Sequence, residues 1–359
     1  MAASDQMRAA VGLASPRRSK ALALRSVLLV ILGVAVVASL TIGATGISLW
    51  EVLWKLLTGQ ELSRLERTVL WDIRAPRTFM GMLVGASLAV SGAVMQGLFR
   101  NPLADPGLLG VSSGAGLGAI FVIVVSGAVL PPAVLEFFGY AMLPLAAFVG
   151  AWAVMIALYA LATRAGRTSV ATMLLGGIGI AALSGALSGI MVYMADDIQL
   201  RELTFWGMGA LTGATWSKLL VAAPVMGLAT LAALSLGQGL NGLSMGEATA
   251  HHIGIDVQRL KRRSILSVSA MTGAAVAVSG GIGFVGIIVP HLLRLAVGPD
   301  HRTLLLNAAI MGAALLLFAD IVSRVIVAPS ELPIGIVMAV IGGPVFLWIL
   351  LRRRGVVDL

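Results

Sequence analysis

The sequence predicts an all-α integral membrane protein of about ten transmembrane helices with an inverted internal repeat. Three observations carry this reading. Of 359 residues, 58% are hydrophobic and only 11% charged, against roughly 25% charged in soluble domains, and the mean hydropathy is +0.99. No soluble core absorbs that much apolar surface, because a soluble exterior must be polar. The apolar residues fall in runs of membrane-crossing length, about 20 residues each. Finally, Gly85-Ala-Ser-Leu-Ala-Val-Ser-Gly92 returns as Gly273-Ala-Ala-Val-Ala-Val-Ser-Gly280.

Taken in order, residues 1–25 form a polar, basic N-terminal extension to which no role is assigned. The run 26–47 is too long for a signal-peptide core and has no evident small-residue cleavage site, so it reads as an uncleaved first membrane helix. Further spans are predicted at about 77–98, 107–130, 140–162, 170–193, 217–236, 264–281, 283–298, 303–324 and 333–351. Two amphipathic pieces, 49–72 and 197–210 with Trp206, read as interfacial. Residues 26–351 therefore make one transmembrane domain with halves of about 26–210 and 211–351, and 352–359 form a tail. The repeat copies fall on the second and seventh spans. An odd offset inverts one copy relative to the other, as in transporters whose path runs between two halves.

The net charge is +9, but the basic residues are scattered between apolar runs and form no stripe for nucleic acid. With both termini cytoplasmic, 17 of the 25 Lys and Arg fall inside, in agreement with the positive-inside rule. Arg64, Arg67, Arg74 and Arg77 are the main group left outside. The absence of cysteine excludes disulfides and thiolate metal sites. There is no G-x-x-x-x-G-K-[ST] loop for ATP, no H-E-x-x-H, and no legible nucleophile–base set. Adjacent His251 and His252 point to different faces of any helix, so no metal site is assigned. Gly281-Ile-Gly-Phe-Val-Gly286 matches a dinucleotide fingerprint, but between two membrane runs it reads as a glycine-lined helix break.

The longest polar interruption in the C-terminal two-thirds is Leu236–Arg263. Apolar residues at helical spacing and punctuating glycines read either as two short surface helices offered to a partner protein or as a solvated loop. Asn101-Pro-Leu-Ala-Asp-Pro-Gly107 ends a run with two prolines. Pro290-His-Leu-Leu-Arg294 puts ionisable groups in or beside a membrane run, where they face a cavity or another helix. Asp320 and Arg324, four apart, read as a structural ion pair. Alternatively, Arg324 joins Arg74 and Arg77 in an exposed cationic ring that docks an acidic protein.

With these residues in hand, the chain resembles the FecCD-type permeases of ATP-binding-cassette importers, the membrane subunits for iron–siderophore, haem and cobalamin uptake. The resemblance runs from about Arg74 to Arg352. It rests on Arg74-Ala-Pro-Arg77, Gly92-Ala-Val-Met-Gln-Gly97, Arg100–Gly107, Trp206-Gly-Met-Gly209, Gly246-Glu-Ala248 with Ile253-Gly254, Gly283-Phe-Val-Gly286, Pro290–Arg294, Asp300-His-Arg302 and Glu331-Leu-Pro-Ile-Gly335. It implies the type II importer architecture, with ten helices per subunit and a dimer, homo- or heteromeric, around the path. It also implies two separate ATPase subunits, which carry the ATP and Mg, and an extracytoplasmic binding protein. No cofactor and no catalytic residue is implied for this chain. The ATPases would dock on 237–257, through Leu243, Gly246, Glu247, Ala248, His251 and Gly254. The binding protein would meet Arg74, Arg77 and Arg324. A cytoplasmic gate would lie at Thr168, Ser169 and Thr172, and Asn101, Pro102, Asp105, Pro290, His291, Arg294 and Asp320 would be structural. The implied setting is the bacterial cytoplasmic (inner) membrane and its lipid. Ferric siderophore is the first substrate expected, with cobalamin or haem as alternatives. An ion-coupled secondary transporter is the rival of another class, but few acids beyond Asp320 serve it.

Overall fold

The computed structural model describes residues 16–43, 49–165 and 167–352. It is a bundle of α-helices with one two-stranded hairpin. The helices are α1 (Pro16–Thr41), α2 (Leu49–Leu57), α3 (Arg64–Leu98), α4 (Val111–Val129), α5 (Pro132–Phe138) and α6 (Met142–Ala162). Then follow β1 (Thr163–Arg164) and β2 (Arg167–Thr168), antiparallel, and α7 (Val170–Met194), α8 (Asp197–Gly207), α9 (Trp216–Leu234), α10 (Gly237–Ser244) and α11 (Glu247–His252). The last are α12 (Val257–Ser279), α13 (Val285–Val297), α14 (His301–Val325) and α15 (Ile334–Arg352).

Eight of these, α1, α3, α4, α6, α7, α9, α14 and α15, are long and apolar enough to cross a membrane. The predicted spans 264–281 and 283–298 become α12 and α13. The former begins in the basic cluster Arg259–Arg263, and the latter is only 13 residues long. Both lie against other helices, with most of α12 buried, so neither needs a full apolar surface.

Several predicted boundaries move. The first helix starts at Pro16, the favoured first-turn position for proline, and not at residue 26. Residues 1–15, 44–48 and 353–359 lie outside the described residues. The predicted interfacial piece 49–72 is divided. Leu49–Leu57 is a separate amphipathic helix, whereas Arg64 onward belongs to α3. A capping box starts α3: Ser63 Oγ accepts from Glu66 N–H, and Glu66 Oε2 accepts from Ser63 N–H. The Glu66 carboxylate also receives Lys55 Nζ at 2.6 Å, which ties α2 to α3. A π-helical stretch, Thr68–Arg74, carries the helix past Pro76.

The centre of the molecule is α3, which is buried along most of its length. In lipid, apolar side chains gain nothing by leaving their surroundings, so helices associate through close packing of small residues. Here the backbones themselves touch. A Cβ on Gly85 would collide with the carbonyl of Gly312 in α14, and one on Gly92 with the carbonyl of Gly286 in α13. Gly85 and Gly92 bound the first repeat copy. The second copy lies in α12, buried and packed against α3. On the rim, α4, α6 and α7 pack together, and α7 buries only Met173, Gly177 and Ser184.

Gly281–Gly286 is a helix break, as read from sequence. Gly280 and Phe284 both take left-handed backbone angles, φ +69° and +68°, between α12 and α13. Phe284 has no glycine-like freedom there, and surrounding structure holds it in place.

Candidate functional site

Two chemically distinct ends frame the bundle. The first holds α10, α11 and the β-hairpin. Leu240 and Leu243 are buried and anchor α10. Leu243 is 1% exposed, so it cannot touch a docked partner as predicted; an apolar side chain in an amphipathic helix here faces its own core. Gly246, at φ +106°, turns the chain between α10 and α11. Beyond that turn, Glu247, Ala248, His251, Ile253 and Gly254 are exposed. Gly246 itself is half-buried. The His251 and His252 rings stand 6.4 Å apart at 75°.

Two side-chain links fasten this elbow to the bundle. On one side, Glu247 Oε1 receives Lys261 Nζ at 2.8 Å. Lys261 is buried, and its ammonium also donates to the carbonyl of Thr168 at 3.0 Å. The Thr168 N–H in turn donates to Gln258 Oε1 at 2.9 Å. On the other side, Asn241 Nδ2 donates to Asp300 Oδ1 at 2.6 Å, and Asn241 Oδ1 accepts from the His301 N–H at 2.8 Å. Asp300 is the N-cap of α14, so one amide side chain ties α10 to the start of α14. A cavity of about 1190 Å³ opens here between α1, α10 and the α13–α14 turn, with Arg25, Asn241, Met245 and Arg302 in its wall.

The residues expected at the gate are split by burial. Thr168 is buried; Ser169 and Thr172 are exposed. Ser169 caps α7, its Oγ accepting from Thr172 N–H at 3.2 Å.

The opposite end holds Arg74, Arg77 and Arg324. All three are buried, at 3%, 5% and 5% exposure, so they form no exposed cationic ring. Arg77 forks onto Asp320, with Nη2–Oδ1 at 2.8 Å and Nε–Oδ2 at 3.1 Å, and reaches Glu331 at 2.9 Å. Arg324 meets Asp320 Oδ2 at 3.1 Å, the expected i,i+4 pair. It also donates to the carbonyls of Ser39 and Ile42, and Arg74 donates to those of Leu40 and Thr41 at 2.7 and 3.0 Å. Those carbonyls are the last of α1. A helix C-terminus leaves its final carbonyls unsatisfied and carries a partial negative charge; in this fold two guanidiniums satisfy both needs.

The remaining motif residues support the interior. Arg294 donates to Gln96 Oε1, while Gln96 Nε2 bonds the Gly286 carbonyl at 2.9 Å, so α13 is tied to α3. Pro290 is buried, and the ring of His291 packs edge-on against Trp348. Asn101 Oδ1 accepts from Leu103 N–H behind Pro102. Asp105 Oδ1 accepts from Gly107 N–H at 2.8 Å beside a cavity of about 230 Å³ at the α12–α13 break. Burial pushes the Asp105 carboxyl above its ordinary value, and the Gly107 bond opposes this. Sequence reasoning missed Lys261, Gln258 and Asn241 as linking residues. Asn241 alone left a trace, as a carboxamide between two leucines of an apolar stripe.

The comparisons agree with this architecture. The FecCD transport family matches residues 28–352. The hemin transport system permease of Yersinia pestis is 44% identical, over 91% of this chain and 95% of its own. The vitamin B12 import system permease of Vibrio vulnificus is 40% identical, over 92% and 95%. A solved structure described as an inward-facing, metal-chelate type ABC transporter superposes with a TM-score of 0.79 at 30% identity, covering 91% of this chain and 98% of that one. With its multi-pass apolar helices, the chain belongs to the FecCD transport family and is a permease subunit of an ABC importer, not an enzyme.

Proposed function

We propose that this permease carries a metal chelate of the haem and corrinoid size class across the bacterial cytoplasmic membrane, as one half of a dimer around the path. Haem is the preferred cargo within that class. The Yersinia relative named for hemin matches at 44% over nearly its whole length, whereas none of the relatives compared above is named for a siderophore. Ferric siderophore, the first expectation from the sequence, and cobalamin are the competing cargoes.

The observation that carries the transport reading is the α10–α11 elbow. Its leucines are fixed in the core, while Glu247, Ala248, His251 and Gly254 are offered to solvent. A surface so anchored suits a separate ATPase subunit that binds ATP and Mg and docks on the cytoplasmic side, with both termini on that side. Transport then needs no covalent step. It needs two arrangements of the bundle that the partners bind differently. An extracytoplasmic binding protein delivers cargo at the opposite end. A carboxylate on it reaches Arg77 only by displacing Glu331, whose side chain is 33% exposed.

The test is to purify the assembled complex in mild detergent, identify the co-purifying subunits, and titrate the binding protein with hemin, cobalamin and a ferric siderophore. Recovery of an ATPase with tight hemin binding supports the proposal. A siderophore-selective binding protein overturns the cargo, and a chain that transports without any ATPase overturns the importer mechanism. The identity of the second permease subunit separates homodimer from heterodimer.

A further inference from the structure

Lys261 has a position its sequence context conceals. It lies in a cluster of exposed basic residues, Arg259, Arg262 and Arg263, yet its own side chain is turned inward and only 3% of the residue is exposed. Burying a lysine ammonium is costly unless it is paired and hydrogen-bonded. Its partners are two, on different elements. Glu247 at 2.8 Å is the first residue of α11, and its side chain stays 46% exposed. The Thr168 carbonyl at 3.0 Å is the last residue of the β-hairpin. One residue later Ser169 caps α7, a long helix with only three buried residues. The chain of contacts therefore runs from an exposed elbow, through a buried charge, to the root of a loosely held helix.

We propose that Lys261 is the positioning residue through which a displacement of α11 is delivered to the Thr168–Thr172 segment and so to α7. The inference rests on the reading of α10–α11 as the ATPase docking surface. A carboxylate–ammonium pair suits this task because it is short and transmits both push and pull. The backbone carbonyl at its far end moves the hairpin itself and not a free side chain. Gln258, one turn earlier on α12, holds the Thr168 N–H at 2.9 Å. Both backbone groups of Thr168 are thus gripped by α12, and the hairpin has little freedom to slip past the link.

Because the chain has no cysteine, a single reporter on it can be read from the permease band alone. Ala171 is exposed on the first turn of α7. In proteoliposomes holding the full complex, Ala171→Cys is labelled with a maleimide, with and without a non-hydrolysable ATP analogue. ATPase co-purification and hydrolysis are measured on the same samples. In the reporter parent, nucleotide should change the labelling rate by about fivefold. Adding Lys261→Met should reduce that change to less than about 1.5-fold and lower uptake per ATP hydrolysed about tenfold, with the ATPase still bound and turning over. Lys261→Arg, which can keep both contacts, should retain most of the response and rules out a folding explanation. An undiminished nucleotide response in Lys261→Met overturns the proposal and leaves the docking surface standing. A parent without any response overturns the gate and the relay together. Loss of the ATPase from the parent complex, in contrast, marks failure of the docking reading.

Discussion

Arg77 and Asp320, 243 positions apart in sequence, meet through a forked guanidinium–carboxylate contact inside the bundle. The same carboxylate also holds Arg324. One acid therefore pairs with two buried cations, and Glu331 supplies the second, partly exposed negative charge of the group. Asp320→Ala should cost about 3–5 kcal/mol, because it leaves charge buried without its partner. Arg324→Glu should be worse still, since it places a carboxylate against Asp320 and uncaps α1. Detergent-stability melts of the purified permease check both. A variant within about 1 kcal/mol of the parent would show that this end is not held by charge.

At the other end, Glu247→Arg should uncouple the machine. The substitution sets two cations against each other at Lys261 and reverses the charge offered by α11. Uptake should fall about tenfold or more while the permease remains folded and monodisperse. Normal uptake with normal ATPase association would remove α11 from the docking surface.

Asn241 and Asp300 permit a swap. Asn241→Asp alone puts like charges 2.6 Å from each other, and should lower the melting temperature and uptake together. Adding Asp300→Asn returns one donor and one acceptor to the pair and should recover most of both. The coupling energy of the resulting double-mutant cycle is expected at about 1–3 kcal/mol. Simple additivity would mean that the contact is incidental.

Gly92→Val should fail to give folded protein, since its side chain would enter the Gly286 carbonyl of α13. Gly33→Val, on α1 with nothing within 4 Å of the added carbon, should be tolerated within about 0.5 kcal/mol. Expression-level fluorescence size-exclusion profiles of the two variants distinguish a packing requirement from a general intolerance of change.

Asp105 offers a pH test. Its carboxyl is raised by burial, so the folded state holds the proton more tightly than the unfolded state does. Its contribution to stability is then fully present below the ordinary carboxylate range and is lost as pH rises through the raised value. Asp105→Asn keeps an oxygen for the Gly107 N–H and removes the ionisation. Its melting temperature relative to the parent should therefore improve as pH rises above the ordinary carboxylate range. A pH-independent difference would show that the fold does not raise this carboxyl above its unfolded value.

Apolar run length made most of the bundle legible, because a lipid-facing helix must be apolar along its whole exposed side. The same signal weakens where a helix faces protein. That is why α12 and α13 have less distinct ends, and why residues 64–72 looked interfacial before the structure joined them to α3. The arginines were misjudged for a related reason. The Asp320–Arg324 pair was legible, but Arg74 and Arg324 also hold main-chain carbonyls at the end of α1, and a carbonyl leaves no mark in a sequence. Lys261 looked like a topology signal, since its pairing with Glu247 spans a helix break whose geometry depends on Gly254. The paired glycines, by contrast, were visible as a repeat, although only the fold showed what each one touches.

The seams of glycine also bear on how such a permease can change over generations. Where Gly85 meets Gly312 and Gly92 meets Gly286, almost any substitution is lethal to the frame. Along α7 most residues are exposed in the single chain, so substitution there meets no such backbone collision. A frame closed by backbone contact is inherited whole or not at all, in keeping with relatives named for hemin and for vitamin B12 that still align along most of this chain.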